Sequence, residues 1–166
     1  MRSAAVNTKS LIRTLLIGVL FLTGSFTVSA EAAVADMTQL LLSAPWYGSY
    51  VCNQGLTRLR LTLRPLPGGD GNRLEAEFAF TPDPDNPSVP NGSFRLAGSL
   101  NPTSGILVLK QDRWLEQPSD PGYRMVDMEG RLIAGEGQAM IRGRVTTYGC
   151  QDFAVWQFFT DAAVSR

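Results

Sequence analysis

The chain has 166 residues, two cysteines and no histidine, and its 15 Lys and Arg residues balance its 15 Asp and Glu residues. The absence of histidine excludes the common Ser-His-Asp and Cys-His nucleophile arrangements and most zinc sites. Because basic residues do not outnumber acidic ones, the chain lacks the positive charge that is typical of nucleic-acid-binding proteins. We therefore expect a non-catalytic protein that uses no metal and no cofactor.

Residues 1–30 have the composition of a secretory signal peptide. Basic residues precede an uncharged, mostly apolar run from Thr14 to Phe26, and the small residues Val28-Ser29-Ala30 follow it. The run is shorter than the roughly 20 residues of a membrane span, so cleavage is the first interpretation and an uncleaved anchor the alternative. We expect cleavage after Ala30, or after Ala32 as a second site, and no membrane span in the mature chain.

The mature chain is mildly acidic. The signal peptide contains three of the 15 basic residues, so 12 remain against 15 acidic residues, a net charge of −3. We expect a periplasmic or secreted monomer. In such an oxidising compartment Cys52 and Cys150 predict one intramolecular disulfide. Free thiols and pairing between chains are the alternatives.

The mature chain divides into a lead-in, residues 31–45, and a single β-domain, residues 46–166. Helical spacing of Val34, Met37 and Leu41 predicts a short helix over Ala32–Leu42. Turn residues then separate eight strand-like runs. These predicted strands are Tyr47–Asn53, Thr57–Arg64, Arg73–Thr81, Ser93–Leu100, Ile106–Trp114, Tyr123–Leu132, Ala139–Thr146 and Phe153–Phe159.

The strand pattern predicts an all-β, antiparallel up-and-down barrel. Leu59, Leu61 and Leu63 alternate with polar residues, which is typical of a sheet with one solvated face. Cys52 ends the first predicted strand and Cys150 precedes the last, so a disulfide brings the two ends of the meander together. A β-sandwich is the alternative.

Charge patterns predict the register of two hairpins. If Arg64 lies opposite Arg73, Arg60 faces Glu77; if Ile133 pairs with Gln138, Glu129 faces Arg142 and Asp127 faces Arg144. Opposite charges across strands are favourable, so these residues are interpreted as a solvated outer face. A carboxylate-based hydrolase using Glu75/Glu77 or Asp127/Glu129 is the remaining enzymatic alternative.

Two further features could support binding. Core packing is the favoured interpretation of Trp46, Tyr50, Trp114 and Trp156, and a ligand-binding role is the alternative. The loop Pro82–Asn91 is a candidate contact surface. Its Asp83, Asp85 and Asn86 also suggest calcium, but the spacing does not match an EF-hand.

The chain also resembles a known kind of domain. The segment Trp46-Tyr47-Gly48-Ser49-Tyr50-Val51-Cys52-Asn53-Gln54-Gly55-Leu56-Thr57 resembles the opening of an uncharacterised bacterial exported β-domain with the pattern W-x-G-x-Y-x-C-x-Q-G-x-T. The resemblance continues through Asn86–Phe94, Trp114-Leu115, Pro121–Tyr123 and Gly143–Val145 to Gly149–Phe153. Such domains occur alone or attached to caspase-like peptidases, whose catalytic machinery this chain lacks. The resemblance implies a binding or accessory role and supplies no catalytic residues.

The favoured function is an exported, non-catalytic binding module whose partner is a protein or a glycan. The first alternative is a lipocalin-like carrier of a small apolar ligand, which requires a hollow barrel. The second is a periplasmic inhibitor of a protease or lysozyme.

The export and disulfide predictions are tested together by the intact mass of the protein recovered from its producing cell. We expect a chain that begins at Glu31 or Ala33, with a mass two hydrogens below that of the reduced chain. A chain that retains residues 1–30 would instead indicate the uncleaved anchor.

Overall fold

The protein forms a closed, antiparallel β-barrel. A computed structural model describes residue 42 and residues 44–66, 72–135 and 137–158. Within these residues each strand pairs with the next, and the last pairs with the first. The eight strands are β1 (Trp46–Cys52), β2 (Gly55–Pro65), β3 (Arg73–Pro82), β4 (Gly92–Leu100), β5 (Ile106–Glu116), β6 (Met128–Gly135), β7 (Gln138–Val145) and β8 (Asp152–Phe158).

The predicted up-and-down barrel is therefore confirmed, and the sandwich alternative is wrong because one sheet closes on itself. The predicted signal peptide, and the predicted lead-in helix apart from Leu42, lie outside the described residues.

The alternating strands place their apolar side chains inside the barrel. Leu59, Leu61 and Leu63 on β2 are buried, as predicted, and the intervening Arg58 and Arg60 are exposed. On β3 the same alternation buries Leu74, Ala76, Phe78 and Phe80. This period of two fixes which face of each strand meets the core.

Large side chains fill the interior. Phe78 stacks on Phe94 with ring centroids 4.6 Å apart, and Tyr50 meets Phe78 edge-on at 5.1 Å. An eight-stranded barrel is just wide enough for side chains to fill its interior. The largest fully buried side chains are those of Trp46, Phe78, Phe94, Leu61, Leu63, Leu96, Leu107, Leu109, Met128, Ile141 and Val155.

Closure brings β1 against β8 over only a short stretch. Tyr47–Tyr50 pair with Phe153–Trp156, and Gly48 lies at the centre of this contact. A Cβ atom at Gly48 would collide with the backbone of Ala154 and Val155. Glycine therefore permits the two strands to approach closely enough for pairing.

Both predicted hairpin registers are wrong by two residues. In the β2–β3 hairpin, Arg64 faces Glu75 and Thr62 faces Glu77. Arg60 still reaches Glu77 diagonally, with Nη2 and Oε1 2.8 Å apart.

In the β6–β7 hairpin, Gly135 pairs with Gln138, so that Glu129 faces Arg144. The tight β6–β7 turn uses Gly137 at a φ of 69°, a conformation that glycine adopts without steric cost.

The strand predicted over Tyr123–Leu132 is also displaced, because β6 begins at Met128. Asp127 explains the late start. Its side-chain Oδ1 accepts the backbone N–H of Gln111, and its own N–H donates to Thr147 Oγ1, both at 2.9 Å. These side-chain bonds replace strand pairing and leave residues 117–127 as a connection that departs from the β5–β6 ladder.

Replacing a filled core position should destabilise the barrel strongly. Phe78→Ala removes a fully buried ring, so we expect the free energy of unfolding in urea to fall by about 3–5 kcal/mol. Phe158→Ala is the matched control, because Phe158 is 76% exposed, and we expect a change within about 0.5 kcal/mol. If Phe78→Ala lowered the free energy of unfolding by less than about 1 kcal/mol, the interior would be loosely packed.

Candidate functional site: a recess at the disulfide end

Four connections share one end of the barrel, which we call the disulfide end. They are residues 53–54, 83–91, 117–127 and 146–151, which join β1–β2, β3–β4, β5–β6 and β7–β8. The disulfide between Cys52 and Cys150, 98 residues apart, ties the end of β1 to the last of these connections. The predicted intramolecular pairing is therefore confirmed.

A recess of about 750 Å³ opens at this end. Its floor is the top of the aromatic core, and its walls come from residues 117–127 and 146–150. The mouths of β-barrels are common sites for ligands. The recess is lined by Tyr50, Cys52, Asn53, Gln54, Phe80, Phe94, Asp120, Gly122, Tyr123, Arg124, Val126, Thr147, Tyr148, Gly149 and Cys150.

The floor continues directly into the core through aromatic contacts. Phe94 meets Trp114 edge-on at 5.4 Å, and Phe80 stacks on Tyr123 at 6.0 Å with an angle of 9° between their planes. Such contacts add to the stability gained by burying the rings. Because Tyr123 packs on a buried ring, the irregular connection that carries it is held in place over the core.

Tyr50 brings a buried hydroxyl to the floor. Gln54 Nε2 donates to Tyr50 Oη at 3.1 Å and lies 3.4 Å from Oγ1 of the buried Thr57. Burial raises the pKa of Tyr50 well above its ordinary value, against the lowering effect of its hydrogen bonds with Thr57 and Gln54. The hydroxyl is thus kept neutral and hydrogen-bonded at the base of the recess.

The wall formed by residues 117–127 is shaped by a local turn. Asp120 Oδ1 accepts the backbone N–H of Gly122 at 2.8 Å, and the backbone oxygen of Asp120 accepts that of Tyr123 at 3.3 Å. Burial, and then the Asp120 carboxylate, raise the pKa of Tyr123 above its ordinary value. Arg124 follows on this wall, so the recess combines aromatic faces with groups of both charges.

The opposite wall presents a fully exposed aromatic ring. Tyr148 is 99% exposed, beside Gly149 and the disulfide. Gly149 has a φ of 82°, and a Cβ atom there would collide with the Asn53 side chain. Glycine at this position therefore lets the β7–β8 connection fold against the β1–β2 turn.

The structure brings together two of the four predicted ligand-binding residues. Tyr50 lines the recess, and Trp114 contacts its floor through Phe94. Trp46 is fully buried at the start of β1, four residues from Tyr50 and outside the recess lining. Trp156 lies on the outer face of β8, 36% exposed.

Sequence reasoning missed Tyr123, Arg124 and Tyr148 as recess residues. The predicted strand Tyr123–Leu132 included both Tyr123 and Arg124, and Tyr148 received no role. The available signal was their position beside turn sequences, at Pro121-Gly122 and before Gly149-Cys150. Connections that meet at one end of a barrel bring such residues together.

The loop Pro82–Asn91 is ordered by its own polar groups rather than directed into the recess. Asn86 Nδ2 donates to the backbone oxygens of Gln54 and Leu56, at 2.6 and 3.0 Å. Asp83 accepts the N–H of Asp85 and pairs with Arg58. Asp83 and Asn86, two of the three groups considered for calcium, are therefore engaged with the protein itself, and the loop borders a separate groove on the outer face.

The carboxylates considered for hydrolysis lie on the outer face. Glu77 pairs with Arg60 at 2.8 Å, and Glu75 with Arg95 at 2.9 Å. Asp127 and Glu129 lie 3.3 and 4.0 Å from Lys110 Nζ. This arrangement matches a solvated, charge-paired surface.

Within the described ranges, no helix is long and apolar enough to cross a membrane, and no three metal-ligating side chains are grouped to hold an ion. No protein-family model matches the chain, and neither a curated protein nor a solved structure matches it significantly. The resemblance to exported domains found with caspase-like peptidases therefore stays a prediction.

The buried Tyr50 hydroxyl predicts an alkaline loss of stability. A tyrosine whose pKa is raised on folding stabilises the protein fully below the unfolded pKa of about 10, and this contribution is lost as pH rises through the folded pKa. We therefore expect the free energy of unfolding to fall above about pH 10, by up to about 1.4 kcal/mol per pH unit. In Tyr50→Phe this fall should be shallower, when urea unfolding is measured from pH 7 to 11.

Tyr50→Phe should also lose about 1 kcal/mol at pH 7, since Gln54 loses its acceptor. The matched control is Tyr47→Phe, whose side chain lies on the outer face. Equal pH profiles for the two variants would contradict the role assigned to Tyr50.

Proposed function

We propose that this protein is an exported, non-catalytic binding module that holds its partner at the recess of the disulfide end. The observation that carries the proposal is the contrast between a filled interior and an open, mixed polar and aromatic recess at one end. A carrier of the lipocalin kind needs an internal cavity, and side chains such as Phe78 and Phe94 occupy that space here.

Export is supported by two independent features. The first 30 residues have the signal-peptide pattern. The Cys52–Cys150 disulfide is compatible with an oxidising compartment. We therefore place the mature protein in the periplasm or outside the cell.

The recess chemistry favours a polar partner with flat or ring-shaped groups. Tyr123 and Tyr148 offer aromatic faces, Asn53 and Gln54 offer amides, and Arg124 offers a charged donor. Tyrosine supplies a large contact area at a small cost in conformational entropy. A glycan or a protein loop presents the matching groups, and an inhibitor of a protease or lysozyme would be one form of such a module.

The absence of catalysis is part of the proposal. The four carboxylates considered for hydrolysis lie outside the recess lining, near basic side chains of the outer face. Asp120 is the one carboxylate among the described lining residues, and it accepts a backbone N–H of its own turn. Glycoside hydrolysis commonly needs two carboxylates on either side of one bond.

Native mass spectrometry of the protein purified from its producing cell tests the proposal. A co-purifying protein or glycan would support it, and the captured partner then becomes the probe for the variants below. A bound small apolar molecule inside the barrel would instead establish the carrier and contradict the proposal.

Two tyrosine variants test the location of binding. Tyr148→Ala and Tyr123→Ala should each weaken binding of the captured partner by on the order of tenfold, since aromatic anchors dominate interfaces. Tyr148→Ala should leave stability within about 0.5 kcal/mol because its side chain contacts solvent. Tyr47→Ala, on the outer face, is the matched control, and an equal loss in all three variants would place the binding site elsewhere.

A further inference from the structure

Four apolar side chains form one continuous row on the outer face of the barrel. Ile133 pairs with Met140, Met140 with Trp156, and Trp156 with Tyr47, so the row crosses β6, β7, β8 and β1. Three of its members are substantially exposed: Ile133 at 44%, Trp156 at 36% and Tyr47 at 60%. Phe158, two residues beyond Trp156 on the same face of β8, is 76% exposed. A contiguous exposed apolar patch marks an interaction surface.

The next row toward the disulfide end is basic. Arg131 lies directly opposite Arg142, and neither forms an ion pair within the described part of the chain. Some arginines elsewhere on the outer face are paired with carboxylates, as Arg60 is with Glu77 and Arg95 with Glu75. Like charges directly opposite each other are unfavourable, so an external anion that contacts both guanidinium groups would relieve their repulsion.

Among the described residues of β6–β8, acidic side chains first appear in the third row. Glu129 faces Arg144, and Arg144 faces Asp152. The outer face of β6–β8 thus changes from apolar, to basic, to mixed charge along the strands. Successive rows are two residues, or roughly 7 Å, apart.

This order matches the layers of an anionic lipid surface. Amphipathic elements insert their apolar faces about 5–10 Å into the boundary between headgroups and acyl chains. Tryptophan and tyrosine concentrate at that depth, and arginines one row further out lie at the level of the phosphates. The carboxylates of the third row then stay in water.

We propose that this face docks the protein reversibly on the surface of an anionic lipid bilayer. The apolar row enters the headgroup region, and Arg131 and Arg142 bind lipid phosphates. The inference goes beyond the proposed function and does not depend on it, because the recess lining contains no residue of either row.

The test uses the protein as its producing cell releases it, with its N-terminus read by mass spectrometry. We expect co-sedimentation with vesicles of phosphatidylglycerol and phosphatidylcholine, little with phosphatidylcholine alone, and release at high salt. Arg131→Gln/Arg142→Gln should weaken binding by on the order of tenfold, since each arginine near an anionic surface contributes to the attraction. Arg95→Gln/Arg113→Gln is the matched control: it removes another pair of directly opposed arginines, on β4 and β5, changes the net charge equally, and should bind as the unchanged protein does.

A second measurement locates the contact. Lipids brominated near the headgroup should quench tryptophan fluorescence on binding. Trp156→Phe should remove most of that quenching, because Trp46 is fully buried and Trp114 packs on Phe94 at the disulfide end. Equal weakening by the two double-arginine variants, or quenching that persists in Trp156→Phe, would overturn the proposal. So would a dimer in sedimentation equilibrium that Trp156→Ser dissociates, since a second copy would then cover the row.

Discussion

The contact between β1 and β8 is the constraint on which the rest of the structure depends. Within the described residues this ladder joins Tyr47–Tyr50 to Phe153–Trp156, and it pairs the two terminal strands of the meander with each other. The Cys52–Cys150 disulfide reinforces closure just beyond the ladder. In the chain-entropy model a closed loop of about 100 residues contributes up to ~4.7 kcal/mol, which is comparable to the whole stability of many small domains.

Closure also decides where recognition can occur. Large side chains such as Phe78 and Phe94 fill the interior of this eight-stranded barrel, so the interior contributes to stability. The β5–β6 ladder ends at Leu109 and Met128, and the chain between the two strands extends over the barrel end. The recess is therefore a consequence of one incomplete ladder, whose end is fixed by the side-chain bonds of Asp127.

The sequence predicts the architecture well because its main signals have a period of two. Alternation identifies the buried face of β2 and β3 without error, and the two cysteines indicate which strands meet. The same period cannot distinguish registers that differ by two residues, since such a shift leaves every side chain on its face. The Arg60–Glu77 pair illustrates this limit: the ion pair forms as expected, but diagonally, with Thr62 opposite Glu77.

The recess was harder to predict for a different physical reason. Tyr123 and Tyr148 lie on connections, where no periodicity indicates direction, and they meet only because the barrel brings two connections to one end. Trp156 shows the converse case, a candidate residue that lies outside the recess. The size of its ring suggested a ligand-binding role. In β8, however, Trp156 lies between the buried Val155 and Gln157, so the alternation of the strand directs its side chain outward. Alternation within a strand was thus a better guide to location than residue type.

The two proposed surfaces lie at opposite ends of β1, and this arrangement has a mechanical consequence. Tyr47 belongs to the apolar row, and Cys52 lines the recess five positions further along the strand. At about 3.3 Å per residue the separation is roughly 16 Å. A barrel docked through Tyr47 and Trp156 would therefore hold its disulfide end above the headgroups, facing the solvent. Because the connecting strand is part of a rigid closed sheet, lipid binding would orient the recess without altering its shape, and a partner in solution would meet it on a surface rather than by free diffusion in three dimensions.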